Sequence, residues 1–423
     1  MNLKHKDPMV ERKFLAPFFL IACLFFLWGV PNNLNGILIK QFMKSFELSV
    51  LQAGLVQSVF YMGYFVFAFP AAMLMRKYSY KTGLIGGLLL FAAGCLLFWP
   101  AAFAGSYAFF LFSLFVIASG LAFLETGANP FIVQLGKQQT AEQRLNFAQA
   151  FNPIGAITGA VIGTVFIFSG IEPDEKAIGL MKETGEYADF LKSETLRVIV
   201  PYLFLAAFAV MWAGLLWKTK LPEVKNNTEK SDAPIKQSLK GLFKNKGFVR
   251  GVIAQFLYVG AQVGTWSYFI MYVRQYTGQT EKAAGYMLSA TLAAFALGRF
   301  SATWLMKMIR PVVLMGIYGL INVLLVAVCI LAPGIAGMWC LLLTSFFMSL
   351  MYPTIFALSV KGLGEQSKIG GSVLVMAILG GALITPLMGL IAELSGSMAL
   401  AMLIPLLAYV YIAGYSFSQK SEL

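Results

Sequence analysis

The sequence predicts an all-α polytopic membrane protein, with twelve transmembrane helices arranged as two six-helix repeats. Composition is the first reason. Of 423 residues, 59% are hydrophobic and 12% charged, against roughly 45–50% and roughly 25% in soluble globular proteins; mean hydropathy is +0.75. One core cannot hide that much apolar surface, 37 phenylalanines included, so lipid must solvate most of it. The second reason is the grouping of apolar residues into runs of about 20 or more, the length a bilayer-crossing helix needs. These runs are too long for barrel strands and lack their strict alternation. The third is that the two halves of the chain echo each other.

In order, the runs cover 14–39, 49–75, 82–103, 106–135, 145–170, 197–217, 248–273, 283–306, 312–332, 336–360, 369–392 and 397–417. Most connections are short. The exceptions are a polar loop at 171–196 and a basic linker at 218–247, which separates an N-terminal bundle (1–217) from a C-terminal one (248–423). Twelve crossings put both termini on one side. That side carries 23 Lys and Arg, the other eight, and Arg299 lies within a span. The asymmetry places both termini in the cytoplasm, and it accounts for the +13 net charge without any nucleic acid. The loop at 171–196 holds seven acids (Glu172, Asp174, Glu175, Glu183, Glu186, Asp189 and Glu194) against three lysines. That reads as a solvated outer loop, dispensable for recognition.

The echo between halves rests on three matches. Leu74-Met75-Arg76 recurs as Leu305-Met306-Lys307 after 231 residues, and Trp28-Gly29-Val30 falls opposite Val259-Gly260-Ala261 at the same offset. Asn129-Pro130-Phe131 pairs with Tyr352-Pro353-Thr354 at an offset of 223. Parallel repeats of this kind are the architecture of secondary transporters of the major facilitator type, whose substrate site lies between the halves near the midplane.

Several function classes fall away. The single histidine, His5, lies in the N-terminal tail, and Cys23, Cys95, Cys329 and Cys340 sit inside apolar stretches with no CxxC spacing. They read as small hydrophobes rather than disulfides or metal ligands. No nucleophile–base pair is visible, so an enzyme is not expected and no cofactor is called for. The longest loops are too short for an independent sensor core, and no obligate protein partner is evident. The first apolar run continues without a cleavage site for a leader peptide.

What remains is polar chemistry inside the spans. An ionisable group in hydrocarbon costs at least about 2.5–3.5 kcal/mol, which makes each one a functional hypothesis. Glu125 sits deep in span 4 with no cation nearby in sequence; hydrocarbon favours its neutral form, which suits it to carry a proton. Asn129 follows four residues later on the same helical face. Arg299 lies eight residues before Lys307, or about 12 Å along a helix. It is expected to snorkel toward the interface as an anchor or gate residue and not to bind substrate.

Neutral amides cluster more tellingly. Span 1 carries Asn32, Asn33 and Asn35 just after Pro31; span 5 opens with Asn146, Gln149 and Asn152; span 7 sets Gln255, Tyr258, Gln262 and Trp266 on one helical stripe. Amides match sugar hydroxyls, and aromatic faces cover the apolar side of a sugar ring. The candidate substrate-binding residues are Asn32, Asn33, Asn129, Gln149, Asn152, Gln262, Trp266 and Tyr352, with Glu125 as the proton-coupling residue and no metal ligands. Gly155, Gly159 and Gly163 are read as helix packing only.

These residues also carry a resemblance. The segments FLWGVPNNLN (26–35), QAGLVQS (52–58), RKYSYK (76–81), LETGANPF (124–131), RLNFAQAFN (144–152) and YPTIF (352–356) resemble the bacterial L-fucose:proton symporter family, the fucose permeases. The resemblance implies a major facilitator fold and alternating-access import of a monosaccharide, L-fucose or a related hexose, across the bacterial inner membrane. It implies H+ as coupling ion, with Na+ as the alternative, since sodium-coupled glucose and galactose carriers belong to the same family. It also implies two functional acids. The one in span 4 matches Glu125; the one in span 1 would follow Asn35 directly, where this chain has Gly36. The loop motif between spans 2 and 3 departs from the usual facilitator pattern too, with Arg76 where an acid usually stands.

Overall fold

The computed structural model describes residues 8–48, 50–167, 175–222 and 235–420. His5, the loop acids Glu172 and Asp174, and residues 223–234 of the linker lie outside these residues. Among the described residues the chain is helical, with no strand.

Spans 1 to 4 are the long helices Leu15–Ser45, Val50–Lys77, Tyr80–Ala104 and Tyr107–Gln134. Span 1 runs six residues past its expected end at 39, where Gln41 and Lys44 bond Glu194 of the loop after span 5. Span 5 covers Gln138–Ile167, and span 6 is Ile199–Lys218. A short amphipathic helix, Ile235–Lys244, leads into span 7, Lys246–Thr277. Spans 8 and 9 are Glu281–Leu305 and Pro311–Leu331. Spans 10, 11 and 12 cover Ile335–Val360, Ser367–Ser395 and Met398–Gln419.

Eleven of these helices are long and apolar enough to cross a bilayer by composition alone. Span 7 is the exception. Its 32 residues extend about 48 Å, ample to cross, but Gln255, Gln262 and their neighbours dilute its apolar character. Those residues face protein or the central cavity: Gln255 and Tyr258 are fully buried, and Gln262 lines the cavity described below.

Two spans are broken a few residues before a proline. Span 5 divides into Ala141–Gln149 and Phe151–Ile162 just before Pro153; span 10 divides into Ile335–Met348 and Met351–Val360 just before Pro353. Each proline lacks an N–H and displaces the carbonyl four residues back, here those of Gln149 and Ser349. Both carbonyls reappear in the site below. Span 11 is also interrupted, between Ser367–Met376 and Leu379–Ser395.

Spans 1 to 6 pack chiefly among themselves, as do spans 7 to 12. Within each half the same device brings two helices close. A side chain at Gly155 would land on the carbonyl oxygen of Phe26, joining spans 5 and 1; one at Gly380 would land on that of Phe256, joining spans 11 and 7. The halves meet mainly through spans 2 and 11, 4 and 11, 5 and 10, and 5 and 8. The contacting parts are Ala141–Gln149, Met351–Val360 and Ser367–Met376, the portions nearer the face that carries both termini.

The loop after span 5 is not wholly the solvated excursion its composition suggests. It forms the helices Glu175–Thr184 and Tyr187–Leu196. Glu194 is 2% exposed. Its carboxylate accepts a hydrogen bond from Gln41 Nε2 at 3.1 Å and pairs with Lys44 at 2.9 Å. A carboxylate that caps the outer end of span 1 is part of the scaffold, which counting charges along the loop does not reveal.

Candidate substrate site

A cavity of about 400 Å³ lies between the halves, walled by spans 1, 2, 4, 5, 7, 8, 10 and 11. Span 1 contributes Trp28, Asn32, Asn33, Asn35 and Gly36. Asn33 Nδ2 donates to the Gly29 carbonyl at 3.3 Å, one turn back. Asn32 is exposed to the cavity. Asn35 is 1% exposed, and neither of its amide atoms is hydrogen-bonded within the protein.

Glu125 lies on the opposite wall, 7% exposed, and accepts a hydrogen bond of 2.5 Å from the Tyr352 hydroxyl. Because Glu125 is on span 4 and Tyr352 on span 10, this bond joins the two halves at the cavity. An ionised carboxylate makes it charge-assisted, roughly twice as strong as its neutral counterpart.

Of the nine expected site residues, eight line the cavity: Asn32, Asn33, Glu125, Gln149, Asn152, Gln262, Trp266 and Tyr352. Asn129 does not. It is fully buried behind the wall, where its Oδ1 accepts from Gln149 Nε2 at 2.8 Å and its Nδ2 donates to the Glu125 carbonyl at 3.1 Å. It sits one helical turn below Glu125 as expected, but it positions Gln149 and does not face the cavity. Asn152 Nδ2 donates to the Phe25 carbonyl at 3.2 Å, which leaves its oxygen for another donor. Trp266 Nε1 donates to Ser345 Oγ at 3.0 Å, and the indole meets Phe295 edge-on at 5.1 Å between ring centres.

Arg299 departs furthest from its sequence reading. It does not snorkel. It is 3% exposed, lines the cavity and lies 4.5 Å over the Phe295 ring. Its Nη1 donates to the Gln149 carbonyl at 3.0 Å and its Nε to the Ser349 carbonyl at 2.8 Å. These are the two carbonyls displaced by Pro153 and Pro353. A guanidinium carries five donors in a fixed fork, so one side chain satisfies both helix breaks, one in each half. The sequence held the signal: a lone intramembrane arginine together with prolines in two helices whose freed carbonyls needed a donor. Distance to Lys307 alone could not reveal it.

Span 2 was also missed. Gln57, Phe60, Tyr61 and Tyr64 line the cavity at offsets 0, 3, 4 and 7, one helical face. In a membrane helix such a face is ambiguous, since aromatic residues serve lipid as readily as a binding site.

Below the cavity, toward the terminal face, a layer of bonds joins the halves. Asn146 Nδ2 donates to Thr354 Oγ1 (3.0 Å), Gln143 Nε2 to the Thr303 carbonyl (3.1 Å) and Lys368 Nζ to the Met75 carbonyl (2.9 Å); Lys361 pairs with Glu142 at 3.3 Å. These interhalf hydrogen bonds lie at the level of Glu125 or on this side of it. The cavity is therefore sealed toward the termini.

Comparison with known proteins agrees with this architecture. The sequence model of the Major Facilitator Superfamily matches residues 17–386. The chain is 42% identical to the L-fucose-proton symporter of Escherichia coli over 96% of its own length and 94% of that protein's. It is 38% identical to the L-fucose-proton symporter of Haemophilus influenzae, over 99% of its length and 98% of that protein's. Identity to the glucose/galactose transporter of Brucella abortus is 32%, over 98% and 96%. Among solved structures, it superposes with a TM-score of 0.89 and 41% identity on FucP in the outward conformation, over 96% of this chain and 99% of that one. The chain belongs to the Major Facilitator Superfamily and, within it, to the bacterial L-fucose–proton symporter family.

Proposed function

We propose that the protein is a secondary active transporter that imports L-fucose with a proton by alternating access, in the inner membrane of a bacterium, with both termini in the cytoplasm. The observation that carries the reading is the Glu125–Tyr352 bond: a buried carboxyl facing a sugar-sized, amide-lined cavity and linked directly to the opposite half. The 1–217 and 248–423 bundles act as the two moving bodies. Asn32, Asn33, Gln149 and Asn152 on one side, with Gln262 and Tyr352 on the other, bind hydroxyls, and Trp266 covers an apolar ring face. Asn129 acts through Gln149.

The mechanism follows from what protonation does at Glu125. The carboxylate can only accept hydrogen bonds, whereas the neutral acid can also donate. Taking up a proton weakens the charge-assisted bond from Tyr352 and frees the tyrosine to engage a sugar hydroxyl. With Gly36 in place of a second acid, one carboxyl carries the coupling. The relatives named for L-fucose and protons, at 42% and 38% identity, support this reading over the more distant glucose/galactose carriers.

The test is counterflow in proteoliposomes against L-fucose, D-galactose, D-glucose and D-arabinose, followed by uptake driven by a pH gradient or by a sodium gradient alone. L-fucose should give the strongest exchange, and the pH gradient should suffice. Accumulation that needs sodium and ignores pH would overturn proton coupling.

A further inference from the structure

A second cavity has no part in the reading above. It is a crevice of about 670 Å³ on the terminal face, at the seam where span 5 of one half meets span 8 of the other. Its apolar lining includes Phe147, Phe300, Trp304 and Met306, together with Pro8 and Met9 of the N-terminal segment; Gln139, Gln143 and Lys307 are among its polar groups. Three features restrict what fits. Phe300 and Trp304 are exposed on the outer flank of span 8, so the crevice opens sideways into the bilayer rather than to the central cavity. No acid is among its lining residues, and Lys307 makes no ion pair among the described residues. Its chemistry is also graded, with apolar rings along the span and amides and a cation at the membrane boundary, the depth profile of a phospholipid.

The geometry points to a binding site for an anionic phospholipid, with one acyl chain against Phe147, Phe300 and Trp304 and the headgroup phosphate on Lys307. Charge complementarity selects the anionic headgroup, and continuity with the lipid-facing flank selects lipid over a soluble ligand. The walls come from both halves, and the bond from Gln143 to the Thr303 carbonyl crosses the same seam. A lipid seated there contacts both halves only while the seam is closed, so it binds that arrangement preferentially and shifts the population toward it. Acidic lipid thereby acts as a brake on opening at the terminal face.

The experiment is native mass spectrometry of the purified full-length protein equilibrated with phosphatidylglycerol and phosphatidylethanolamine. Wild type should retain phosphatidylglycerol in preference. Lys307→Gln should lower that retention about fivefold, the usual effect of one basic residue beside an anionic surface, and Lys307→Arg should restore it. Lys240→Gln, on the exposed face of the linker helix, should leave retention unchanged. In vesicles of phosphatidylethanolamine, added phosphatidylglycerol should raise the population in which spin labels on the terminal ends of spans 5 and 8 are close. That response should be absent in Lys307→Gln. Equal losses in Lys240→Gln and Lys307→Gln would mean diffuse attraction and overturn the site, as would retention that ignores Lys307. Stronger lipid retention on deleting residues 1–7 would identify the chain's own N-terminus as the occupant and equally overturn it. The lipid readout needs no transport, so its failure is separable from failure of the fucose reading.

Discussion

Replacing Glu125 by glutamine isolates the coupling step from the binding step. The amide keeps the size of the carboxyl and an oxygen able to accept from Tyr352, but it can neither ionise nor release a proton. In the ionised wild type the bond across the halves is charge-assisted; in the variant it is neutral. The difference is about 1 kcal/mol, or about fivefold in the balance between sealed and open arrangements. Exchange of sugar between the two sides needs no proton movement, so counterflow should persist within about fivefold of wild type. Accumulation should not persist. With one proton per sugar, a gradient of one pH unit supplies about 1.4 kcal/mol and so about tenfold accumulation; Glu125→Gln should equilibrate at a ratio near one. The assay is uptake of labelled L-fucose into proteoliposomes with and without an imposed pH gradient, alongside counterflow on the same preparation. Accumulation by Glu125→Gln at the wild-type ratio would refute Glu125 as the coupling group. Loss of counterflow together with accumulation would place it in sugar binding instead.

Three further outcomes follow from the geometry. Gln149→Ala and Asn152→Ala should each weaken L-fucose binding about tenfold, from the loss of one matched hydrogen bond worth about 1–3 kcal/mol; calorimetric titration giving wild-type affinity for both would make these amides structural. Arg299→Met leaves two displaced carbonyls without their donor at about 1–3 kcal/mol each, so thermal unfolding should shift down by several degrees while Arg299→Lys recovers part of the loss; an unchanged midpoint would show the carbonyls satisfied elsewhere. Gly36→Asp meets no atom within 4 Å of the added Cβ, so the variant should fold, and the new carboxyl should add a second titration to the pH profile of uptake through its coupling to Glu125; a profile identical to wild type would show that the two positions do not communicate.

The architecture was legible because the solvent dictates it: a bilayer imposes span length, charge asymmetry and hydrogen-bonded helices, and each leaves a periodic mark in sequence. The amide stripes were legible for the same reason, since polar groups at membrane depth must face protein or a cavity. Which of the two they face was not legible. Asn129 and Gln149 carry similar amides, yet one stands behind the other, and only the packing of span 4 on span 5 decides their order. Arg299 was misjudged because snorkelling is argued along one helix, whereas its partners lie on two others. Glu194 escaped because loop composition averages over a residue that folds back under span 1. In each case the missing information was a contact between residues far apart in the chain.

The arginine clamp ties the movement of the gate to the movement of water. When the terminal side opens, the Gln149 carbonyl is pulled away from Arg299, yet the displaced oxygen and the guanidinium each still need a partner. Only solvent can supply both at once. Hydration around Arg299 is then not a result of opening but a condition for it, because a dry separation would strand an acceptor and a cation together. The transition should accordingly take up a discrete number of water molecules and slow under osmotic stress from solutes too large to enter the cleft.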